Sequence, residues 1–315
     1  MIRYYAKEEG RLKEVDGPEV SGWVNISPPF TQEELEEIAI RFDLPLDFLT
    51  DSLDIDERSR YEREDDIRLI VLNTPILNES EIQNDAIYMT VPIGIILTPD
   101  LVITITAFEN PVLQLFLDSK VKNFDPGDDV QFVLQIFEQN VYRFLTCLKK
   151  LNLKRNLIEQ ELLHSSRNKE LMQLLSIEKS LVYFVNSLSA NELLKMKMKR
   201  TDFLGIGSDE SKTDLFEDII IDNSQALEMS NVYTNILNGT MDAYGSIISN
   251  NLNITIRRLT LITIILMVPT LVASFYGMNV TLPLKDDPNA IYYIMIFSVL
   301  VSLLVGWYFQ RQRLF

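Results

Sequence analysis

Ten side chains in the last quarter of the chain recur at alternating steps of three and four residues. An α-helix with this spacing would carry all ten along one face, and eight of the ten are polar. The members of this stripe are Asp242, Ser246, Ser249, Asn253, Ile256, Thr260, Thr263, Met267, Thr270 and Ser274. Carboxylate, amide and hydroxyl oxygens are ligands suited to hard divalent cations. A polar stripe through an apolar span normally faces a bundle interior or a wet cavity, so the pattern favours a pore.

The Ser and Thr residues of the stripe also allow a plainer interpretation. Their hydroxyls can bond to the preceding turn of their own helix or hold neighbouring helices together. The two longer polar side chains at the start of the stripe, Asp242 and Asn253, favour the pore. Because two helices cannot enclose a water-filled path, a pore requires several copies of the chain, each donating one wall.

Two uncharged segments near the C-terminus are predicted to span a membrane. Leu259–Phe275 and Ile291–Phe309 fall in the length range needed to cross about 30 Å of hydrocarbon. Aromatic residues at their ends, among them Tyr276 and Trp307, are typical of membrane interfaces. A buried helix of a soluble protein is the alternative for either segment alone, and two such segments together make it less favoured.

Positive residues flank this pair of spans. Arg257 and Arg258 precede the first span, and Arg311 and Arg313 follow the second. The loop 277–290 between the spans carries a single lysine. Since positive residues favour the cytoplasmic side, both termini are expected in the cytoplasm and the loop outside. The N-terminal sequence also lacks the pattern of a signal or transit peptide, so the first domain is expected to stay where it is made.

Residues 1–125 are predicted to form a mixed α/β domain. Runs rich in Ile, Val, Tyr and Thr, bounded by Pro, Gly, Asn or Asp, predict strands. The predicted strands are Ile2–Ala6, Gly22–Ile26, Ile67–Leu72, Ala86–Val91, Gly94–Leu97 and Leu101–Thr106. The capping pattern of Thr31 and Glu34 predicts a helix over Thr31–Phe42, and Pro45–Leu53 and Pro111–Ser119 are further predicted helices. The order of these elements does not fix a sheet topology.

Residues 126–258 are predicted to form a long helical stalk. No proline occurs between Pro126 and Pro269, and apolar residues recur at helical spacing. A helical pair is expected across 128–199, with a break near His164–Arg167, followed by one helix over Ser211–Tyr276. Residues 259–315 complete the predicted α+β membrane protein as a transmembrane hairpin.

The charge of the chain is concentrated in its N-terminal part. The net charge is −16 over 315 residues. Residues 1–125 hold 11 Lys/Arg against 26 Asp/Glu, a net charge of −15. This distribution leaves no basic footprint for nucleic acid. It suits the attraction of cations, although the acid could equally serve only to keep a cytoplasmic domain soluble.

Cysteine and histidine each occur once, as Cys147 and His164. One of each excludes a disulfide framework, a thiolate cluster and a histidine-rich zinc or copper site within one chain. No nucleophile–base set of an enzyme active site can be assembled from one histidine and one cysteine. The chain has no GxxxxGK nucleotide loop, so cation uptake would be passive.

Several motifs resemble the CorA family of magnesium and divalent-cation transporters. Tyr276–Asn279 reads YGMN, directly after the first span, and it follows Pro269–Ser274, which is similar to the P-T-x-x-A-x segment of that family. Asn253–Thr260 is similar to the family pattern N-x-x-M-K-x-L-T. Phe216–Asp218 and Asp242 fall where family members carry acids on the same helix. The specific match covers about residues 216–280.

The resemblance implies a pentameric funnel in a bacterial or archaeal plasma membrane, with Mg²⁺ as the transported and regulatory ion. Gly277, Met278 and Asn279 would form the outer mouth, with Asn279 as a ring of amides that contact the water shell of the ion. Asn253 and Asp242 would contact the ion at positions further inward along the path. The remaining lining would come from Ser249, Ile256, Thr260, Thr263, Met267, Thr270 and Ser274, with Ile256 and Met267 as apolar gates.

The resemblance also implies control by internal Mg²⁺. Asp218 is the helix acid that matches a regulatory metal site between subunits, and its partner from the N-terminal domain is not assigned by the sequence. Low internal Mg²⁺ would leave these acids unscreened, so that they repel one another and loosen the funnel.

The chain departs from the family pattern at two places. The acidic segment that often follows GMN is replaced by Val280–Asp287, in which Asp286 or Asp287 is the candidate replacement for the usual glutamate. Ile256 stands where methionine is common. Two alternatives stay open: a CorA relative that prefers Zn²⁺, Co²⁺ or Ni²⁺, and a scaffold or sensor whose hairpin only tethers the acidic domain.

Overall fold

The structure is a computed structural model that describes residues 2–8, 11–18, 22–79, 85–164, 168–279, 283 and 287–311. The chain forms two units, Met1–Gly239 and Thr240–Phe315. The domain boundaries inferred from the sequence, after residues 125 and 258, stay a prediction.

The first unit is built on a mixed sheet. Its strands are β1 (Ile2–Glu8), β2 (Arg11–Val15), β3 (Gly22–Ile26), β4 (Arg60–Glu64), β5 (Ile67–Leu77), β6 (Tyr88–Leu97) and β7 (Leu101–Ile105). They are arranged in the order β2-β1-β3-β7-β6-β5-β4. Of the six pairings, only that of β3 with β7 is parallel.

Helices cover both faces of this sheet. On one face, α1 (Gln32–Arg41) and α2 (Leu46–Asp51) bury Ile38 and Phe48 against strand residues such as Ile103. The other face carries α3 (Pro111–Leu117), α4 (Asp129–His164), α5 (Asn168–Thr201) and the first turns of α6 (Glu210–Tyr276). Because the sheet is buried on both sides, its central strands read as nearly continuous apolar runs.

The second unit contains the C-terminal part of α6 and the helix α7 (Ala290–Arg311). Both helices are long and apolar enough to cross a membrane. In the most apolar window of α6, 0% of the residues are buried, so this segment is not the core helix of a soluble domain within the chain.

The predicted class, an N-terminal α/β domain, a long helix and two C-terminal apolar helices, is confirmed. The capping box at Thr31 is also confirmed, since Thr31 Oγ1 accepts a hydrogen bond from Glu34 N and the Glu34 carboxylate accepts one from Thr31 N. The predicted break near His164–Arg167 falls on residues 165–167, which lie outside the described residues, so it stays a prediction; α4 is described up to His164 and α5 from Asn168.

The prediction of two separate strands around Pro92 is wrong, because β6 runs unbroken from Tyr88 to Leu97. Pro92 lies opposite Asn73 of β5. Asn73 N donates to Asn191 Oδ1 at 3.1 Å, and Asn73 O accepts from the side-chain amides of Asn191 and Asn140 at 2.8 and 3.0 Å. Because both backbone groups of Asn73 already have side-chain partners, the pairing of β5 with β6 does not need the N–H that Pro92 lacks.

The predicted strand Ile67–Leu72 is too short, since β5 continues to Leu77 through Asn73 and Pro75, which the sequence presents as breakers. Two strands were not predicted at all. β2 and β4 are the edge strands of the sheet, and their sequences, RLKEV and RYERE, are dominated by charge. Charged residues keep an edge strand from pairing with another chain, and they also hide the strand from an apolar pattern search.

Helix α5 attaches to the sheet through polar side chains. Ser180 Oγ accepts from the backbone N–H groups of Ile87 and Tyr88, at 2.8 and 3.1 Å. Ser187 Oγ donates to Thr90 Oγ1 at 2.8 Å, and Asn191 bonds to both backbone groups of Asn73. The face of α5 that meets the sheet is therefore partly polar, so α5 does not show a clean apolar stripe.

Candidate ion pathway

All ten stripe residues lie on α6, and all are exposed in the single chain. Leu259, Leu266 and Leu271, on other faces of the same helix, are also exposed, at 64%, 63% and 56%. Exposure within one chain therefore does not separate the polar face from the apolar faces. What distinguishes the stripe is its chemistry: it presents oxygen donors where the rest of the span presents hydrocarbon.

Four of the six hydroxyls of the stripe bond within their own helix. Thr260, Thr263 and Thr270 each donate to the carbonyl four residues earlier, at 2.9 Å. Ser246 does the same to Asp242 O at 3.1 Å. A hydroxyl that has donated its proton keeps its oxygen lone pairs for an outside partner. These bonds fit the plainer interpretation, and they also leave an outward-facing acceptor that a cation or its water shell can use.

Proline 269 lies inside α6 and lacks the N–H that would bond to the carbonyl of Ile265. In hydrocarbon a carbonyl without a partner is costly, because no water can replace the lost bond. Ser302 of α7 lies beside this carbonyl: its Oγ is 3.2 Å from Ile265 O and 2.9 Å from Ser298 O of its own helix, so its single proton is shared between the two acceptors. The proline therefore creates a polar attachment point on the first span, and the second span binds to it.

The face of α7 toward α6 is built from small residues at four-residue spacing. Ser298 and Ser302 are buried, and a Cβ added at Gly306 would lie 3.3 Å from Ile265 Cδ1. Small residues allow two helices in a membrane to approach closely. This contact face was not predicted from the sequence, although the four-residue spacing of Ser298, Ser302 and Gly306 indicates it.

The predicted outer mouth begins where α6 ends. Gly277 N donates to Ala273 O and Ser274 O, at 3.0 and 3.2 Å, and Met278 N donates to Phe275 O at 3.1 Å. A Cβ at Gly277 would lie 3.4 Å from Ser274 O, an ordinary contact, so space within one chain does not require glycine there. Asn279, which follows directly, is exposed.

The acids of the outer loop are only partly described. Asp286, one of the two candidate replacements for the family glutamate, lies outside the described residues. The carboxylate of Asp287 accepts a hydrogen bond from Asn289 N at 2.8 Å. This bond holds the start of α7, and the replacement of the loop glutamate stays a hypothesis.

Asp218, the predicted regulatory residue, is exposed on α6 in the first unit, whereas the stripe lies in the second unit. The neighbouring Glu217 is paired with Lys199 of α5 at 2.6 Å. Asp218 belongs to an exposed row of acids at four-residue steps, made of Glu210, Asp214, Asp218 and Asp222. Like charges at this spacing repel one another and destabilise the helix slightly.

Within the described part of a single chain, no group of three or more His, Cys, Asp or Glu residues could hold a metal ion. The predicted site residues are thus spread along α6 and are not gathered into one coordination shell. Such a row suits an ion that passes from oxygen to oxygen while it keeps much of its water, rather than an ion held permanently.

An α/β domain, two apolar spanning helices and a row of oxygen donors along the first span define a membrane transport protein. The family model described as CorA-like Mg²⁺ transporter protein matches residues 19–311. The chain belongs to this family, as its YGMN motif indicated. It is therefore a divalent-cation transporter and not an enzyme.

Individual relatives agree with this assignment. The chain is 26% identical over 295 residues to the cobalt/magnesium transport protein CorA of Methanocaldococcus jannaschii, covering 92% of this chain and 90% of that protein. The complete structure of the CorA magnesium transporter from the same organism matches with a TM-score of 0.79 at 24% identity, over 99% of this chain and 98% of that one. The cytoplasmic domain of ZntB from Vibrio parahaemolyticus matches with a TM-score of 0.59 at 12% identity, over 80% and 97%. These two structural matches establish the fold.

The bond from Ser302 to Ile265 O predicts a measurable coupling with Pro269. Ser302→Ala should lower the free energy of unfolding by about 1 kcal/mol, because it leaves the carbonyl unpaired in hydrocarbon. In a Pro269→Ala background the helix regains its own N–H, so the same substitution should cost much less. Thermal unfolding of the four proteins in nanodiscs gives this double-mutant cycle.

Ser298→Ala is the matched control for the cycle, because among the described residues Ser298 Oγ donates to Met295 O in its own helix, at 2.9 Å, and not to α6. It should cost less than Ser302→Ala and should show no coupling to Pro269. An equal cost of Ser302→Ala with and without Pro269 would mean that the hydroxyl does not replace the missing N–H.

Proposed function

We propose that several copies of this chain form a passive channel for Mg²⁺, with the α6 stripe of each copy lining the pore. The observation that carries the proposal is the stripe itself: oxygen donors follow one face of an uncharged span for its whole length. In a lone chain these side chains would face lipid, which is costly for polar groups. A ring of copies turns them toward water, and the family resemblance implies five.

The donor chemistry of the stripe supports a hard cation. Its ligands are hydroxyl, amide and carboxylate oxygens, and the one histidine and one cysteine of the chain lie outside it. The M. jannaschii relative is named a cobalt/magnesium transport protein. Mg²⁺ is therefore the proposed main ion, with Co²⁺ and Ni²⁺ as further candidates.

The proposed path has an outer mouth and two narrow apolar positions. Asn279, with Gly277 and Met278 beside it, would form an amide ring that hydrogen-bonds the water shell of the ion. A ring of neutral amides would select the ion and still bind it weakly enough to release it. Ile256 and Met267 would close the path by expelling water when the helices move together.

The proposed orientation places both termini and the acidic first unit in the cytoplasm of a bacterial or archaeal cell. The arginines at 257, 258 and 311 support it through the positive-inside rule. In this orientation an inside-negative potential drives uptake, since a divalent ion gains about 4–5 kcal/mol per 100 mV. No other energy source is required.

The proposed regulation uses internal Mg²⁺ bound at Asp218 between subunits. Glu217 is already paired with Lys199 in its own chain, whereas Asp218 has no ion pair among the described residues. Asp218 also lies in the middle of the row of four acids, where the negative field is strongest. A bound cation would relieve this repulsion and favour the closed assembly, and its loss would loosen it.

Two other functions compete with this proposal. A preference for Zn²⁺ or another transition metal is possible for a member of this family, because ions that keep their water shells are distinguished weakly by ligand type. A tethered scaffold or sensor without flux is the second alternative, and it would tolerate loss of the Asn279 amide.

Cysteine accessibility distinguishes the pore face from the lipid faces. With the lone buried Cys147 replaced by alanine, single cysteines are placed at three stripe positions and at three apolar ones. The stripe positions are Asn253, Thr263 and Thr270, and the apolar positions are Leu259, Leu266 and Leu271. A charged methanethiosulfonate reagent should react at least about tenfold faster at the stripe in liposomes, because only a thiol in water ionises. Equal rates on both faces would argue against the pore.

The outer mouth is tested by Mg²⁺ uptake into liposomes that hold the purified chain. Asn279→Ala should reduce the flux more than about tenfold, since the amide ring loses bonds worth more than about 1.4 kcal/mol to the hydrated ion. Asn289→Ala, in the same loop, is the matched control and should transport like the wild type. Flux unaffected by Asn279→Ala would exclude this mouth. Absence of flux from oligomeric wild type, with internal Mg²⁺ chelated, would favour the scaffold.

The regulatory site is tested by flux at graded internal Mg²⁺. Asp218→Asn should raise the concentration for half-closure about tenfold, as expected for the loss of one interaction of about 1.4 kcal/mol. Glu217→Gln removes the adjacent acid that is already paired, and it should leave the closure curve in place. Unchanged closure in Asp218→Asn, or an equal shift in both variants, would disprove the assignment.

A further inference from the structure

Lys195 is a lysine in the core of the first unit. It lies on α5, and its exposed fraction is 0%. Lysine is almost never fully buried without a carboxylate partner, because moving an ammonium group out of water is costly. The proposed transport chemistry has no use for this residue, so its position requires a separate explanation.

Three helices surround the Lys195 amine. From α6, Asn223 Oδ1 accepts a hydrogen bond from Nζ at 2.7 Å, and Asn223 is itself 0% exposed. From α4, the ring centroid of Phe137 lies 5.5 Å from Nζ. On α5 itself, Glu192 is the charged group whose field acts on the amine, while its carboxylate accepts a hydrogen bond from Ser224 of α6.

This environment is poorly suited to a full positive charge. Among the described residues the hydrogen-bond partner of Nζ is a neutral amide, whereas an ammonium group offers three N–H donors. Burial lowers the pKa of Lys195 from 10.5 to about 7, and the field of Glu192 opposes this shift only in part. One turn further along α5, Lys199 is exposed and pairs with Glu217 of α6 at 2.6 Å.

Asn223 fixes the amine to a defined place on α6. Its Nδ2 donates to Leu188 O of α5 at 3.0 Å while its Oδ1 accepts from Lys195, so the two helices are joined by two bonds through one side chain. Asn223 and the stripe that begins at Asp242 lie on the same continuous helix. A change in how α6 packs at Asn223 therefore acts on the helix that carries the stripe.

We propose that Lys195 is a pH-sensitive joint between α5 and α6, in which the neutral amine packs stably against Asn223 and its protonation loosens the contact. The proposal is independent of which ion is transported and of the metal at Asp218. It predicts that cytoplasmic acidification weakens the attachment of α6 to the first unit.

The direction of the pH effect follows from proton linkage. Below about pH 7 the amine is protonated in the folded and unfolded chain alike, so its destabilising effect is constant. Between about 7 and 10.5 the unfolded chain holds a proton that the folded chain has released. Stability from this group therefore rises with pH across that window, by at most about tenfold in the folded-to-unfolded ratio per pH unit.

The first experiment is thermal unfolding of the full chain in nanodiscs between pH 6.5 and 9. The wild type should gain stability with rising pH relative to Lys195→Met, which keeps the length of the side chain but has no titrating group. Lys197→Met, an exposed lysine on the same helix, is the matched control and should retain the wild-type slope. A slope in Lys195→Met equal to that of the wild type would overturn the proposal.

A second variant keeps the proposal testable if Lys195→Met does not fold. Asn223→Asp places a carboxylate 2.7 Å from the amine, where it favours the charged form, so the rise in stability should move to higher pH. Hydrogen exchange gives the local measurement. After correction for intrinsic rates, amides 216–230 of the wild type should be less protected at pH 6.5 than at 8.5. An unchanged pH window in Asn223→Asp, or equal protection at both pH values, would contradict the joint.

Discussion

The contact between the two membrane-spanning helices depends on a hydrogen-bond partner for one backbone carbonyl. Pro269 deprives Ile265 O of its helical partner in a segment where no water can replace it. Ser302 Oγ lies within hydrogen-bond distance of that carbonyl and shares its proton with Ser298 O, and the small residues Ser298 and Gly306 let α7 come close enough for this contact. In the proposed assembly, α7 contacts one side of α6, and the oxygen-bearing face of α6 would face other copies of the chain.

Hydrogen bonds from buried polar side chains also hold the first unit together. Buried polar side chains of α5 bond to the sheet at places where strand pairing stops or changes, as Asn191 does at Asn73. The side chains of Ser180, Ser187 and Asn191 each have hydrogen-bond partners on the sheet, as buried polar groups require. Such bonds also fix the register of a helix that lacks a clean apolar stripe, since a slip by one residue would leave several of them unpaired.

Helix α6 carries most of the proposed functional groups along a single continuous element. Its first turns bear the acid row around Asp218, its buried face meets Lys195 through Asn223, and its apolar end bears the stripe. The residues proposed for regulation and those proposed to line the pore therefore lie on one helix. As proposed, metal binding would act on α6 at an exposed face. Protonation would act on the same helix in the core of the first unit.

The sequence by itself determined the two spans, the oxygen stripe on α6, the YGMN motif and the buried strands. Hydropathy, helical spacing and short motifs are local properties that one segment displays without its neighbours. Only the tertiary structure decided that β2 and β4 are strands, that Pro92 lies inside one, and that Ser302 lies beside the carbonyl that Pro269 leaves without its helical partner. In each of these cases the stabilising partner lies on another element, far away in the chain, so no local pattern could reveal it. The proposed partner of Asp218 would belong to the same class, because a contact between copies is further still from the information in one sequence.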